Sequence, residues 1–318
     1  DLKKIKYESL NDYADEVFRK FEMTGLLIAR GKFKHIYYDF SNFNYKKIES
    51  LLNAYKNYDF KEFSNTEEYI NFLDNIKLPW LDNYEVRKEV IKQKAKNLNI
   101  KLKDSDFENL NILEESLNQK FYNKALQTDI LQSDINELLE ELKILASLSN
   151  AKSKYDIREP LRLEYLLALI LGKKYGIKKL YSNLIYNENG IPLSYAPAGK
   201  IDLEYQDFLF EATMIKNKNQ QLNSETTSIA RHMKESVEQG QGDLRTLLIA
   251  PYIHWDVALF FKFCAKEFES KIAPITIANF INLVEKSEKF SDFKANFDKL
   301  NAEVIEEIKQ TILSKIDN

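Results

Sequence analysis

Cysteine is nearly absent from this chain of 318 residues: Cys264 is the only one, which excludes an internal disulfide and fits a reducing cytoplasm. It lies in "DVALFFKFCAKEF", an apolar helical pattern in which a packed thiol is expected rather than a nucleophile. Glycine and proline are scarce, at 8 and 6, leaving little material for long flexible linkers. The longest apolar run, around Tyr165 to Leu171, is far short of the roughly 20 residues a membrane helix needs. No signal peptide is visible, so no membrane association is expected. Nor does either charge dominate. A net charge of -3 lacks the basic balance usual in nucleic-acid binders.

What remains is a globular composition, 44% hydrophobic and 30% charged, long enough for two or three domains. Abundant Leu, Lys, Glu and Asn favour helices. Charge is unevenly spread: residues 101–150 carry 5 Lys/Arg against 10 Asp/Glu, residues 151–200 carry 9 against 4. The second stretch includes Lys173, Lys174, Lys178 and Lys179, for which a solvated helix end is a sufficient account. The chain starts at Asp1 inside structured-looking sequence, so the expectation is that an N-terminal portion precedes it.

"SLNDYADEVFRKFEMTGLL" opens as an amphipathic helix, with Tyr13, Val17, Phe18 and Phe21 at helical spacing. "LLIARGKFKHIYYDF" then reads as two short strands about Arg30-Gly31, either a winged-helix element or a generic packing hairpin. From Tyr45 to Asn150 only helical patterns follow, without a motif that carries chemistry. After Asn150 the pattern becomes helix, hairpin, helix, strand, helix, strand, an α/β arrangement with a mixed sheet. Its first helix, "REPLRLEYLLALILGKKYG", has Pro160 in the first turn and Gly172 near its end. "NSETTSIARHMKESVEQ" forms the second, with Asn223 or Ser224 as cap.

The hairpin, "GKIDLEYQDFLFEATMIKNK", holds an anomaly. A two-residue loop at Gln206-Asp207 sets Asp202 opposite Glu211 and Lys200 opposite Thr213. Such cross-strand side chains are about 5 Å apart at Cβ, where like charges repel. The pair is therefore solvated, shares a proton, or clamps a cation such as Mg²⁺. Glu164 adds a third carboxylate on a helix apolar nearly all round, where a lone charge is costly unless paired or metal-bound. Glu225 and His232, seven apart, share a helix face, and a surface pair accounts for them as well as a site does.

Glu164 on a helix, a Pro197-bearing loop, Asp202, then Glu211-Ala212-Thr213 resemble the PD-(D/E)xK nuclease core, with Thr213 where lysine usually stands. That Glu-x-Thr variant, followed by "ETTSIARH" and "LLIAPYIHWD", resembles the AlwI-like type IIS restriction endonucleases and the BspD6I-like nicking endonucleases. "YADEVFRKFEMTGLL" resembles the segment those proteins place between recognition and cleavage. The resemblance is strongest over residues 155–280, weaker over 8–30 and faint between. It implies an α-rich α/β fold: a winged-helix-like end of a recognition region at 1–45, a helical linker at 46–150, and a nuclease domain at 151–318.

The resemblance further implies Mg²⁺-dependent hydrolysis of double-stranded DNA, with Mn²⁺ as substitute. Asp202, Glu211 and the Ala212 carbonyl become metal ligands, and Glu164 the holder of a second metal or its water. Thr213 cannot supply a lysine's charge. Glu225 would position the water, His232 would orient Glu225 or contact a phosphate, and Lys216 or Lys218 would bring the missing charge. Lys173, Lys174, Lys200, Lys216, Lys218 and Arg231 become DNA contacts, and a second nuclease domain or subunit a partner for double-strand cleavage. Two other readings stay open: a non-cleaving DNA-binding or scaffold subunit, which Thr213 permits, and a repair or transposition nuclease. Residues 8–40 offer one basic tip, Arg30 to Lys34, so weak, salt-sensitive DNA binding without sequence preference is expected.

Overall fold

A computed structural model describes residues 17–299, apart from 19, 31–36, 58, 60, 81–82, 148–152, 156, 158, 197–198, 239–243 and 268–270. Much of the first helix and the Gly31–Lys34 tip therefore lie outside the described residues. The chain forms two compact units, residues 1–123 with 187–193, and residues 124–186 with 194–318.

In the first unit, β1 (Leu27–Arg30) and β2 (Tyr37–Phe40) form the antiparallel hairpin, Leu27 facing Phe40. Helices α1 (Tyr45–Tyr55), α2 (Thr66–Asn75) and α3 (Tyr84–Asn97) follow. Asn65 and Asn83 cap the last two by accepting from Glu68 and Val86 N–H groups. Ile91, Ala95, Phe107 and Leu117 form a local core. Glu188 fastens the returning loop to the start of α1. Its carboxylate accepts from Ser41 Oγ (2.6 Å), Phe43 N (3.0 Å) and Asn42 N (3.1 Å).

Helix α4 (Leu110–Gln132) runs from the first unit into the second. Its apolar residues keep to no single stripe: Leu117, Leu126 and Ile130 are buried while Ile112 and Leu131 are exposed. Next come α5 (Ile135–Ser147) and α6 (Glu159–Tyr175). Gly172 does not end α6. A Cβ there would lie 2.3 Å from Ile130 Cδ1, so the missing side chain permits the close approach of α4. The stop is Gly176, at φ +100.

The sheet is β3 (Leu180–Ser182), β4 (Leu203–Tyr205), β5 (Phe208–Ala212), β6 (Arg245–Ala250) and β7 (Lys271–Thr276), paired in that order. The first two pairings are antiparallel and the last two parallel. The sequence reading has no counterpart to β3, because three residues show no alternation. Helices α7 (Thr226–Glu238), α8 (Trp255–Glu267) and α9 (Ile277–Glu285), then a helix over 290–299, follow β5 among the described residues.

Each face of the sheet has its own core. Phe208 and Phe210 pack on aromatic rings after β7: Phe208–Phe297 at 5.2 Å, Phe208–Phe293 at 5.5 Å and Phe210–Phe280 at 6.5 Å between centroids. Tyr205 Oη donates to the Tyr175 carbonyl at 2.6 Å, bringing the end of α6 into this layer. On the opposite face Leu248 and Ile272 meet Ile229, Met233, Val257, Phe261 and Cys264. The Phe-rich α8 thus covers the carboxylate-bearing face, and Cys264 is a packed thiol.

Arg245, at the start of β6, is 2% exposed and closes the turn-side end of the sheet. Its guanidinium makes a fork to Asp298 (2.9 Å twice) and reaches Asp207 in the hairpin turn at 2.7 Å. Truncating it removes the buried cation shared by Asp207 and Asp298, which are partly exposed and keep Lys294 and Lys271 as further partners. Arg245→Ala is expected to cost about 1–3 kcal/mol in urea-unfolding measurements, the scale of hydrogen bonds to charged groups; a loss below about 0.5 kcal/mol would mean the network adds no net stability.

Candidate active site

The site begins with a turn. Gln206 takes φ +55, the left-handed conformation that lets two strands reverse through two residues. Leu203 then faces Phe210, and Tyr205 faces Phe208. Continuing that register by one step brings Asp202 opposite Glu211. Asp202 curls onto the partner strand, its Oδ2 accepting from Ala212 N at 2.8 Å. Glu211 and Thr213 point to the face under α7, and both are buried. That face is covered rather than an open cleft wall.

Helix α6 brings Glu164, 4% exposed among leucines, where among the described residues the Ala196 N–H, 3.4 Å from Oε2, is its hydrogen-bond donor. The loop continues to Pro197, which lies outside the described residues. The helix leading into α7 starts earlier than expected. Asn217, not Asn223 or Ser224, is its cap, accepting from Gln220 N at 3.1 Å. A π-helical turn over Gln221–Glu225 runs without a break into α7.

This helix serves the strand at two points. Thr213 Oγ1 donates to Glu225 Oε1 at 3.2 Å, and His232 Nδ1 lies 2.7 Å from Glu211 Oε1. His232 therefore meets Glu211 and not Glu225. Residues seven apart on a helix are about 10.5 Å apart along its axis, too far to bond each other. They reach instead two same-face residues of one strand, about 7 Å apart. His232 Nε2 is buried without a hydrogen-bond partner in the described structure.

Sequence reasoning passed over Gln221, which is fully buried in the π turn. Its Nε2 donates to the carbonyls of Tyr252 (2.9 Å) and Ile215 (3.2 Å), and its Oε1 accepts from His254 N at 3.2 Å. It ties together the loops that leave β5 and β6. Nothing in "KNQQLNSE" separates this glutamine from its solvated neighbour.

The four acidic groups act on one another. Burial pushes the Glu164 pKa up to about 8, and the Glu211 and Glu225 charges push in the same direction. Asp202 is raised well above the usual carboxylate value by burial, then by Glu164 and Glu211, with the Ala212 N–H opposing. Burial also raises Glu211, against the hydrogen bond from His232, and Glu225, against that from Thr213. Glu164, Asp202, Glu211 and Glu225 therefore form one electrostatic cluster.

The basic residues are more dispersed. Lys173, Lys200, Lys216 and Arg231 are exposed, and Lys174 is half-buried. Lys173 donates to the Leu131 carbonyl at 3.1 Å, and Arg231 lies 3.9 Å from Glu235. Lys218 is ion-paired with Asp256, so its charge is engaged away from the carboxylates.

Among the described residues no three His, Cys, Asp or Glu side chains already converge as a metal cage. A hard cation such as Mg²⁺ needs less, being usually held by one or two carboxylates with water and substrate phosphate oxygens. Raised, mutually repelling oxygen donors fit that demand. No described helix is long and apolar enough to cross a membrane.

Comparison with known proteins gives the chain its place. Residues 1–283 match the AlwI restriction endonuclease family, and the chain belongs to that family. Membership supports a DNA endonuclease of a restriction system. No curated protein matches the sequence. Among solved structures, the small subunit (R.BspD6I2) of the heterodimeric restriction endonuclease R.BspD6I is similar at 23% identity. The likeness covers 54% of this chain and 98% of that one, with a TM-score of 0.43.

The raised Glu164 has a consequence for stability. Between 4.5 and about 8 the folded chain keeps a proton that the unfolded chain has released. Stability must therefore fall as pH rises through that window. In metal-free buffer, the Tm is expected to drop from about pH 5 to about pH 8. Glu164→Gln should flatten this slope and melt higher than the parent at the alkaline end. A parent-like slope in the variant would place the proton elsewhere.

Proposed function

We propose that the protein is a Mg²⁺-dependent endonuclease of the type IIS restriction or nicking kind, hydrolysing phosphodiester bonds of double-stranded DNA in the cytoplasm. The observation that carries this reading is the cluster of four carboxylates, Glu164 and Glu211 buried and Asp202 and Glu225 half-buried, each with a raised pKa, in a chain of a restriction endonuclease family. Asp202 and Glu211, with the Ala212 carbonyl, would hold the cation, and Glu164 would lie on its outer side. When bound, the cation supplies positive charge at the phosphate and acidifies the attacking water; Mn²⁺ would serve as well. The remaining work falls to this chain's own groups. His232 keeps Glu211 in place through the 2.7 Å contact. Thr213, where the superfamily's lysine usually stands, holds Glu225, and Glu225 orients the water.

In this reading residues 1–45 end a recognition region with a winged-helix-like element, 46–150 form a linker, and 151–318 form a PD-(D/E)xK cleavage domain. Lys173, Lys174, Lys200, Lys216 and Arg231 contact the DNA backbone, whereas the engagement of Lys218 with Asp256 weakens its case. Double-strand cleavage would call on a second nuclease domain or subunit. One observation favours a second reading, a DNA-binding subunit that does not cleave: no lysine is among the groups acting on Glu164, Asp202, Glu211 or Glu225.

Supercoiled plasmid with Mg²⁺ separates the two. Nicked or linear product is expected from the parent, and none from Asp202→Asn or Glu211→Gln with folding retained. Parental activity in either variant would remove that residue from the site. Within the Thr213–Glu225 pair, Thr213→Ala is expected to lose about tenfold in rate, the scale of one positioning hydrogen bond. Glu225→Gln should lose at least a hundredfold, as for an acid–base group. The opposite order would give the water-orienting role to the threonine.

A further inference from the structure

We propose that Gln221 is a positioning residue for cleavage: it fixes the Thr213–Glu225 pair from which the attacking water would be oriented. The inference rests on the endonuclease reading and adds a buried amide that touches neither substrate nor cation.

Connectivity is the first observation. Gln221 Nε2 donates to the Ile215 carbonyl at 3.2 Å, and the Ile215 N–H donates to Thr213 Oγ1 at 3.2 Å. Thr213 Oγ1 donates in turn to Glu225 Oε1 at 3.2 Å, and Glu225 ends the π turn that Gln221 begins. The contacts therefore close a ring from Gln221 through Ile215, Thr213 and Glu225 back to Gln221. One side chain locates both partners of the pair: the threonine through the loop, the glutamate through the turn. Such outer support is what holds a reacting group to its working geometry.

Backbone geometry is the second. A π turn is rare and recurs at functional sites, and relaxing it to α geometry would re-aim the residues beyond it. Here it is gripped at its first residue. The Gln221 N–H donates to the Asn217 carbonyl at 2.9 Å. Its side chain donates to the Tyr252 carbonyl at 2.9 Å and accepts from His254 N at 3.2 Å.

Burial is the third. Gln221 is fully buried, so losing its amide leaves polar partners short of a hydrogen bond. Gln220, one residue earlier, is exposed. The two loops are also tied elsewhere, because His254 Nε2 lies 2.7 Å from the Lys216 carbonyl. That contact does not involve Gln221 and keeps the loops joined without it. Removing the amide therefore falls first on the ring that contains Thr213 and Glu225.

The test is a double-mutant cycle on plasmid cleavage with Mg²⁺, run where circular dichroism shows every variant folded. Gln221→Met keeps the length of the side chain without its hydrogen bonds. Gln221→Glu loses only the amide donor, and it carries the test if the methionine variant does not fold. Either is expected to lower kcat about tenfold to a hundredfold, the scale of a small misplacement of a reacting group. KM should stay at the parental value, because Gln221 makes no contact with DNA. Gln220→Met should cleave as the parent does. In a Glu225→Gln background Gln221→Met should cause no further loss, since the group it positions is already gone. Parental kcat in both Gln221 variants, a loss confined to KM, or losses that multiply in the Glu225→Gln background would overturn the positioning role alone. A parent that leaves the plasmid intact would overturn the endonuclease reading together with it.

Discussion

Like charge forced together at the end of a tight hairpin is the constraint that organises the second unit. Once Gln206 and Asp207 make a two-residue reversal, the register is fixed, and Asp202 has no position except opposite Glu211. A slip of one residue would turn Phe208 and Phe210 out of the aromatic layer. The aromatic packing and the acidic pair are thus enforced by the same pairing. Burying Phe208 and Phe210 completely keeps the carboxylates together against their repulsion.

The opposite ends of the sheet do different work. At the turn end, Arg245 meets its acids in matched geometry and little is left uncompensated. At the carboxyl end, the acids' oxygens outnumber the donors seen among the described residues. Ala212 N–H serves Asp202, Ala196 N–H serves Glu164, Thr213 serves Glu225, and His232 serves Glu211. Each donor is single and each acid has two oxygens. Stability is concentrated where the sheet begins, and a deficit of positive charge is stored where it ends. That asymmetry is common where a fold has been shaped for a charged ligand.

Much of this was legible in the sequence, and the limits have physical causes. The two-residue loop at Gln206-Asp207 gives the hairpin register, because turn length leaves one pairing of the flanking residues. Glu164 stood out because an acid amid seven apolar neighbours is costly. Leu180–Ser182 was invisible, since an edge strand of three residues has no period. The cap on the helix before α7 was misplaced because Asn217, Asn223 and Ser224 are chemically equivalent caps, and only tertiary contacts choose among them. For a related reason the sequence offers His232 Glu225 or a phosphate, whereas the structure brings it to Glu211: helical spacing tells which residues share a face, not what lies across from it. Gln221 could not be distinguished from Gln220 by residue type, yet one is fully buried and the other exposed.

The helix and strand at the heart of the site mesh like a rack and pinion. Glu225 engages Thr213 and His232 engages Glu211, so the helix advances by seven residues while the strand steps back by two. Gaining or losing one residue between Glu225 and His232 would turn the later tooth by about 100°, and only one of the two contacts would survive. Substitution can alter either tooth without disturbing the other. Length cannot change there at all without uncoupling them. The interval between these residues is therefore as much a part of the site as the residues themselves.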